Sequence, residues 1–213
     1  MSHQSVQFKN ISISGLPGSG STTLLNALRE HPVLKFEGWT GFSGGEFMRS
    51  YAAEKGLLDS KGQLHHTAAA YSDDFDREVD MGMRHKLSTE QHWILESWLS
   101  GFMAQKIDTT CKILMVCSNT AVKVDRIVNR DLVTAEDALE NMNHRYRTNM
   151  NKWRRMYAKE WKEWVVDAGK ATPEDPIDFW RPNLYDIVID TYSTNQIESL
   201  DIVLHAITRT QTS

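Results

Sequence analysis

Cysteine is scarce in this sequence: Cys111 and Cys117 are the only two among 213 residues, which excludes a framework stapled by disulfides. Placed along the strand-like run KILMVC they stand about 20 Å apart, too far to be bridged, and they read as reduced thiols of the core or of a strand end. Long apolar runs are missing too. None approaches the roughly 18 residues that a membrane-spanning helix needs, and the opening MSHQSVQFKN lacks the basic-then-apolar order of a secretion signal, so no membrane partner and a cytoplasmic location are expected. Nor is there an excess of positive charge. The formal net charge of -4 argues against broad attraction to nucleic acid or to anionic membrane, although it leaves room for a local basic patch. Internal repeats and low-complexity tracts are absent as well. What remains is a chain with 40% hydrophobic residues, enough to bury a substantial core in a single domain spanning 1–213.

Three short segments rich in β-branched and apolar residues read as buried strands: NISISG ending at Gly15, KILMVCS ending at Ser118 and YDIVIDT ending at Thr191. VLKFEG and HWILES are weaker candidates that bring the number to five. Helical stretches lie between them, which predicts an α/β fold: a mainly parallel five-stranded sheet with helices on both faces and ligands beyond the carboxyl ends of the strands. Thr134 to Asp167 is the longest polar, helix-favouring stretch, opened by Thr134 with Asp137 three positions on. The segment GKATPEDPIDFWRPN carries three prolines and reads as an irregular connection before the last strand.

Between the first strand and the first helix stands Gly15-Leu16-Pro17-Gly18-Ser19-Gly20-Ser21-Thr22. It fits the phosphate-loop pattern G-x-x-x-x-G-K-[ST] at every position except the lysine, where Ser21 stands. Glycines at these positions let successive N–H groups and the positive end of the helix converge on phosphate oxygens. Gly15, Pro17, Gly18, Ser19, Gly20, Ser21, Thr22 and Thr23 are therefore the candidate ATP-binding residues, and the Thr22 hydroxyl is the candidate magnesium ligand. The absent ammonium leaves two readings, a cradle served by cations from elsewhere in the chain or a catalytically dead loop.

With this loop the chain resembles the cytidylate kinase-like branch of the nucleoside monophosphate kinases, especially the archaeal-type cytidylate kinases, in which a hydroxyl residue commonly replaces the lysine. The resemblance runs in order over nearly the whole chain. It implies a three-layer P-loop kinase fold with a helical lid at about 130–165 and an acceptor-binding insertion at about 43–90. SGGEFMR, Ser43 to Arg49, is similar to the family's S-x-G-[DE]-x-[FM]-R element, which implies that Ser43, Gly44 and above all Arg49 seat the acceptor phosphate, a role that suits the forked guanidinium. FDREVD resembles an element near the acceptor base and implies roles there for Asp76, Asp80 and, after the Met81-Gly82-Met83 departure, Arg84. In HWILESWLSGFM, Glu96 falls on a family glutamate, and Trp98 stands where the family has a phosphate-binding arginine. Trp98 reads either as a packed core aromatic or as a base-stacking ring.

Arg126 and Arg130 are four apart and share one face of a helix, matching arginines near the start of the family's lid. From Arg145 to Lys162 there are seven basic residues. The resemblance carries Arg145 over directly and places Asn149 and Lys152 toward the acceptor. It implies that Ser21, Thr22, Arg126, Arg130 and Arg145 perform the chemistry, with the arginines supplying the charge that Ser21 lacks. A solvated basic face and, with Trp153, Trp161 and Trp164 interleaved, a single-stranded nucleic-acid surface are the other readings of this segment; net charge disfavours the second. The expected activity is transfer of the ATP γ-phosphoryl group, with Mg2+, to a nucleoside monophosphate, CMP or dCMP first. The alternatives are a kinase of the same fold acting on another nucleotide, small molecule or modified nucleic-acid base, and a noncatalytic nucleotide sensor.

Overall fold

The computed structural model describes residues 4–46 and 72–210. From the amino end its elements are β1 (Gln4–Val6), β2 (Asn10–Gly15), α1 (Ser21–Glu30), α2 (Pro32–Phe36), β3 (Thr40–Ser43), α3 (Asp73–Thr89), β4 (Trp93–Glu96), α4 (Ser100–Met103), β5 (Thr110–Val116), α5 (Thr120–Asp131), α6 (Ala135–Met156), α7 (Ala158–Trp161), β6 (Ile187–Asp190), α8 (Gln196–Ile207) and β7 (Thr208–Thr210). A π-helical turn, Lys162–Val166, prolongs α7. Five strands form one parallel sheet in the order β3-β4-β2-β5-β6, while β1 and β7 make a small antiparallel pair. Each parallel connection crosses over through helix, the layered arrangement of an α/β phosphate-binding fold.

β2 is the central strand and is buried along its whole length. The period-2 alternation of a strand sends Ile11 and Ile13 to one face, where they pack with Leu24, Leu25 and Leu28 of α1 and Val203 and Ile207 of α8. Ser12 and Ser14 point the other way. Their small size matters: Ser14 Oγ accepts from the Gly101 N–H at 2.8 Å and Ser100 Oγ donates to the Ile13 carbonyl at 2.7 Å, which seats α4 against the sheet. A Cβ on Gly101 would lie 2.2 Å from Tyr185 Cε1, so only glycine allows this approach. Beyond α4 lies an aromatic core, in which Phe102, Tyr157, Trp161, Trp164 and Phe179 are all buried.

The VLKFEG segment is not a strand. Pro32 stands at the start of α2, where its fixed φ suits the first helical turn, and Gly38 at φ 80° ends the turn so that Trp39 N–H reaches back to the Leu34 carbonyl. The second strand of the sheet is instead TGFS, paired in register with β4. The other four strand expectations match β2, β4, β5 and β6. Cys111 and Cys117 are both buried free thiols, and burial pushes the Cys111 thiol up to about 12.

The long polar stretch begins as expected, with Thr134 Oγ1 accepting from the Asp137 N–H at 3.1 Å. It does not run as one helix. α6 ends at Met156; Tyr157, a fully buried ring, leaves helical geometry (φ -112°, ψ 20°), and α7 begins at Ala158.

Candidate active site

The carboxyl end of β2 leads directly into the glycine-rich loop and then α1, the strand–loop–helix context that a phosphate cradle requires. Gly18 and Gly20 have φ of 80° and 89°, values that other residues adopt only under strain. No side chain caps the start of α1, so its first N–H groups stay available to an anion. Ser19 is 2% exposed and its hydroxyl has no partner among the described residues. It lies over Gly15, where a Cβ would come within 2.3 Å of it. A buried hydroxyl without a partner, beside free helical N–H groups, is what a cradle awaiting phosphate oxygens leaves unsatisfied.

Where an ammonium is expected, Ser21 Oγ donates to Glu96 Oε1 at 2.7 Å, both groups being buried. Burial raises the Glu96 pKa; the Ser21 hydrogen bond offsets part of that rise, and the charge of Glu46 adds to it. The lysine position is thus occupied by a hydroxyl–carboxyl pair that carries no positive charge, and cations must come from outside the loop.

Three arginines were expected to supply them, and the structure gives each a different setting. Arg126 Nη1 donates to the Gly18 carbonyl at 2.9 Å and to Thr191 Oγ1 at 2.7 Å, and Nη2 donates to the Thr191 carbonyl at 2.9 Å. It braces the carbonyl side of the loop against the end of β6. Arg130 is bidentate on its neighbour Asp131, at 2.6 and 2.7 Å. Arg145, on α6, lies over the Trp98 ring at 5.4 Å. Its pKa is lowered by burial and then by the nearby charge of Arg130, with Asp131 acting the other way.

Thr191 was not anticipated. Its hydroxyl lies 3.0 Å from the Ser19 carbonyl and 3.1 Å from the Val116 carbonyl, so one residue at the end of β6 ties the loop, β5 and Arg126 together. Nothing in its sequence neighbourhood marks it, because every partner is remote in the chain.

On the acceptor side Ser43 and Glu46 cap one another, with the Ser43 N–H on Glu46 Oε2 at 2.9 Å and the Glu46 N–H on Ser43 Oγ at 3.0 Å. Gly44 packs against Ser97, to whose Cβ an added Cβ would approach within 3.0 Å, so this element stands next to the end of β4. Arg49 lies outside the described residues. Asp76, Asp80 and Arg84 share one face of α3, and that face is engaged by α6 and the residue that follows it: Asp76 pairs with Lys152, and Asp80 Oδ2 accepts from the Tyr157 hydroxyl at 2.7 Å. On the neighbouring stripe Arg77 pairs with Glu160.

Arg84 is engaged within the protein. Its guanidinium donates to the Met103 and Gln105 carbonyls at 2.6 and 2.9 Å and stacks over Trp164 at 3.9 Å, which makes it a strut between α3 and the turn after α4. Asn149 and Lys152 are both buried on α6. Trp98 is half-buried within a cluster of rings, edge-on to Trp153 and Trp180, and its carbonyl accepts from Trp180 Nε1 at 2.8 Å.

Asp80 carries a stability prediction. Burial raises its pKa to about 7, Tyr157 and the Lys152 and Arg77 charges act to lower it, and Asp76 adds to the rise. The ordinary value is about 3.9, so the folded chain binds a proton that the unfolded chain has released. This contribution is full below about pH 4 and is lost as pH rises through about 7, a few kcal/mol in all. Asp80→Asn keeps an acceptor for Tyr157 and removes the titration. Urea midpoints from pH 5 to 8 should fall with pH in the parent and fall less in the variant; parallel profiles would assign the slope to other groups.

Thr22 and Thr23 are exposed at the start of α1. Among the described residues no three His, Cys, Asp or Glu side chains converge as a protein-built metal site. Magnesium keeps several waters and travels on nucleotide phosphates with one or two protein oxygen ligands. The Thr22 hydroxyl, an oxygen donor of that type, follows directly on the Ser21–Glu96 pair.

A family model described as an AAA domain matches residues 14–144. The cytidylate kinase of Methanosarcina barkeri is 31% identical over 199 residues, covering 92% of this chain and 95% of that protein; the cytidylate kinase of Methanopyrus kandleri is 28% identical, covering 92% of each. Among solved structures, an uncharacterized protein from Eubacterium ventriosum superposes with a TM-score of 0.59 at 16% identity, covering 93% of this chain and 98% of that one. A gluconokinase from Sinorhizobium meliloti gives 0.50 at 10% identity, covering 95% and 93%. At these identities the two structures speak for the fold alone.

Proposed function

The chain belongs to the cytidylate kinase-like family of P-loop kinases, and on that premise we propose that, as a nucleoside monophosphate kinase, it moves the γ-phosphoryl group of ATP to CMP or dCMP. The observation that carries this reading is the Ser21–Glu96 pair, which brings no positive charge to an otherwise complete phosphate loop, with an arginine from the lid helix lying over Trp98, two residues beyond Glu96.

Phosphoryl transfer asks little covalent chemistry of a protein and much positioning and charge stabilisation. The N–H groups from Gly18 to Thr22 hold the β- and γ-phosphates, and the Ser19 hydroxyl gains the partner it lacks. Thr22 would hold magnesium, which when bound would supply positive charge against the phosphates. Arg126 fixes the loop from behind, through Gly18. Arg145 supplies the guanidinium that meets charge on the transferring group, and Arg130, one step away on α5, adds to the local positive potential. Closure of α6 excludes water and strengthens these interactions. Ser43, Gly44 and Arg49 seat the acceptor phosphate, and Asp76, Lys152 and Asn149 line the side toward its base and sugar.

ADP release in a coupled assay, run against a panel of nucleoside monophosphates with and without magnesium, tests the reading. Acceleration by CMP or dCMP only in the presence of magnesium supports it. Release on a different acceptor alone would replace the proposed substrate, and ATP binding without acceptor-dependent release would reduce the protein to a sensor. Arg49→Ala should raise the acceptor KM at least tenfold more than the ATP KM, since a forked charge-assisted contact of about 1.5–3 kcal/mol is lost on one substrate only. Equal changes in both would move Arg49 off the acceptor.

A further inference from the structure

Arg145 is a half-buried guanidinium that makes no hydrogen bond and no ion pair among the described residues. The carboxylate nearest to it in effect, Asp131, already has both oxygens on Arg130. What holds Arg145 is the Trp98 ring, with its centroid 5.4 Å away. Trp98 in turn is held on several sides: Trp153 and Trp180 meet it at 5.5 and 6.4 Å with interplanar angles of 73° and 66°, Trp180 Nε1 bonds to its carbonyl, and Tyr146, one residue after Arg145, packs on Trp180 at 5.8 Å. The backbone before Trp98 is fixed by the Ser97 N–H on the Ile13 carbonyl at 3.1 Å and by Glu96 on Ser21. An aromatic platform thus stands two residues beyond Glu96, the partner of Ser21, and carries a cation with no direct anionic contact among the described residues. Taking a guanidinium partly out of water without an anion is unfavourable, and an aromatic face compensates only in part.

We propose that Trp98 is a positioning residue: its ring seats the Arg145 guanidinium beside the phosphate loop, so that Arg145 meets the transferring phosphoryl group without first being ordered. This rests on the role given to Arg145 above. It assigns Trp98 to the lid cation and not to stacking on the acceptor base.

The test is a double-mutant cycle in the full chain with saturating MgATP and with CMP, joined to a spectrum that does not depend on turnover. Trp98→Phe keeps an aromatic face, whereas Trp98→Met keeps much of the volume and loses the face. With 15N-arginine labelling, the Arg145 Nε–Hε resonance is identified by its loss in Arg145→Ala. It should be displaced upfield by the ring in the parent and in Trp98→Phe, and return to the ordinary range in Trp98→Met. Trp98→Phe should keep kcat within about threefold, and Trp98→Met should lower kcat about tenfold, the size of a partly desolvated cation–π contact. KM for ATP and for CMP should change by less than about threefold, and in the Arg145→Ala background Trp98→Met should add nothing further.

If Trp98→Met lowers kcat by the same factor whether or not Arg145 is present, raises mainly the CMP KM, or leaves kcat unchanged, the seat is overturned while the kinase reading stands. Full activity in Arg145→Ala overturns the role of Arg145, and the seat with it.

Discussion

Arg145→Ala is expected to lower kcat about a thousandfold while leaving the KM for ATP within about tenfold, the signature of an interaction made chiefly in the transition state. A thousandfold corresponds to about 4 kcal/mol, large for a side chain without a hydrogen bond in the free protein. The reason lies in the loop. Ser21 and Glu96 bring no positive charge to the lysine position, Arg130 shares its charge with Asp131, and Arg126 is turned to backbone carbonyls. Arg145 is the remaining member of the three, without an anionic or carbonyl partner among the described residues. Its removal forfeits only a cation–π contact of about 0.5–2 kcal/mol in the resting fold, so the variant should melt within a few degrees of the parent. Arg145→Lys retains charge but not the planar fork, and should recover part of the loss. A kcat within fivefold of the parent for Arg145→Ala would remove the source of charge on which the proposed chemistry relies.

Arg126→Ala should have the opposite signature: the KM for ATP rises about tenfold to a hundredfold, and kcat falls by less than tenfold. Three hydrogen bonds from one guanidinium join Gly18 and Thr191. Charge-assisted bonds of this kind contribute about 1.5–3 kcal/mol each when buried, less when partly exposed as here. Without them the Gly18 carbonyl loses its brace, and the loop must be ordered when the nucleotide arrives, which weakens ATP binding before the chemistry begins. Gly18 has no easy alternative conformation. Its φ is 80°, and a Cβ there would lie 2.8 Å from the Lys123 carbonyl. Saturation kinetics with varied ATP decide the matter, because a large fall in kcat at unchanged KM would place Arg126 on the phosphates instead of on the loop.

The phosphate loop was legible because its chemistry is local: glycines, strand and helix follow one another within 20 residues, and the backbone they dictate depends on little else. β2 and β5 were legible for a similar reason, since buried central strands concentrate apolar residues, and β6, though at the sheet edge, keeps the β-branched run IVID. β3 was not. TGFS has little β-branched content and owes its place to pairing with β4, whereas VLKFEG has strand-like composition that Pro32 and Gly38 override. Residues on one helix face could be grouped from spacing, as with Asp76, Asp80 and Arg84, but what that face meets is a tertiary matter. Arg84 meets the Met103 and Gln105 carbonyls and the Trp164 ring. Thr191, 65 positions from Arg126 in the chain, left no local signal at all. The aromatic interleaving of α6 and α7 proved to be core packing around Phe102 and Phe179.

The central claim is that a guanidinium of the lid helix replaces the ammonium missing from the loop. A crystal structure of the full chain with magnesium and a nonhydrolysable ATP analogue tests it most directly. The account predicts Arg145 within hydrogen-bond distance, about 2.7–3.2 Å, of a β- or γ-phosphate oxygen, with Ser21 still bonded to Glu96. A triphosphate seated in the loop with no arginine touching it, and with Arg145 still resting on Trp98, would contradict it.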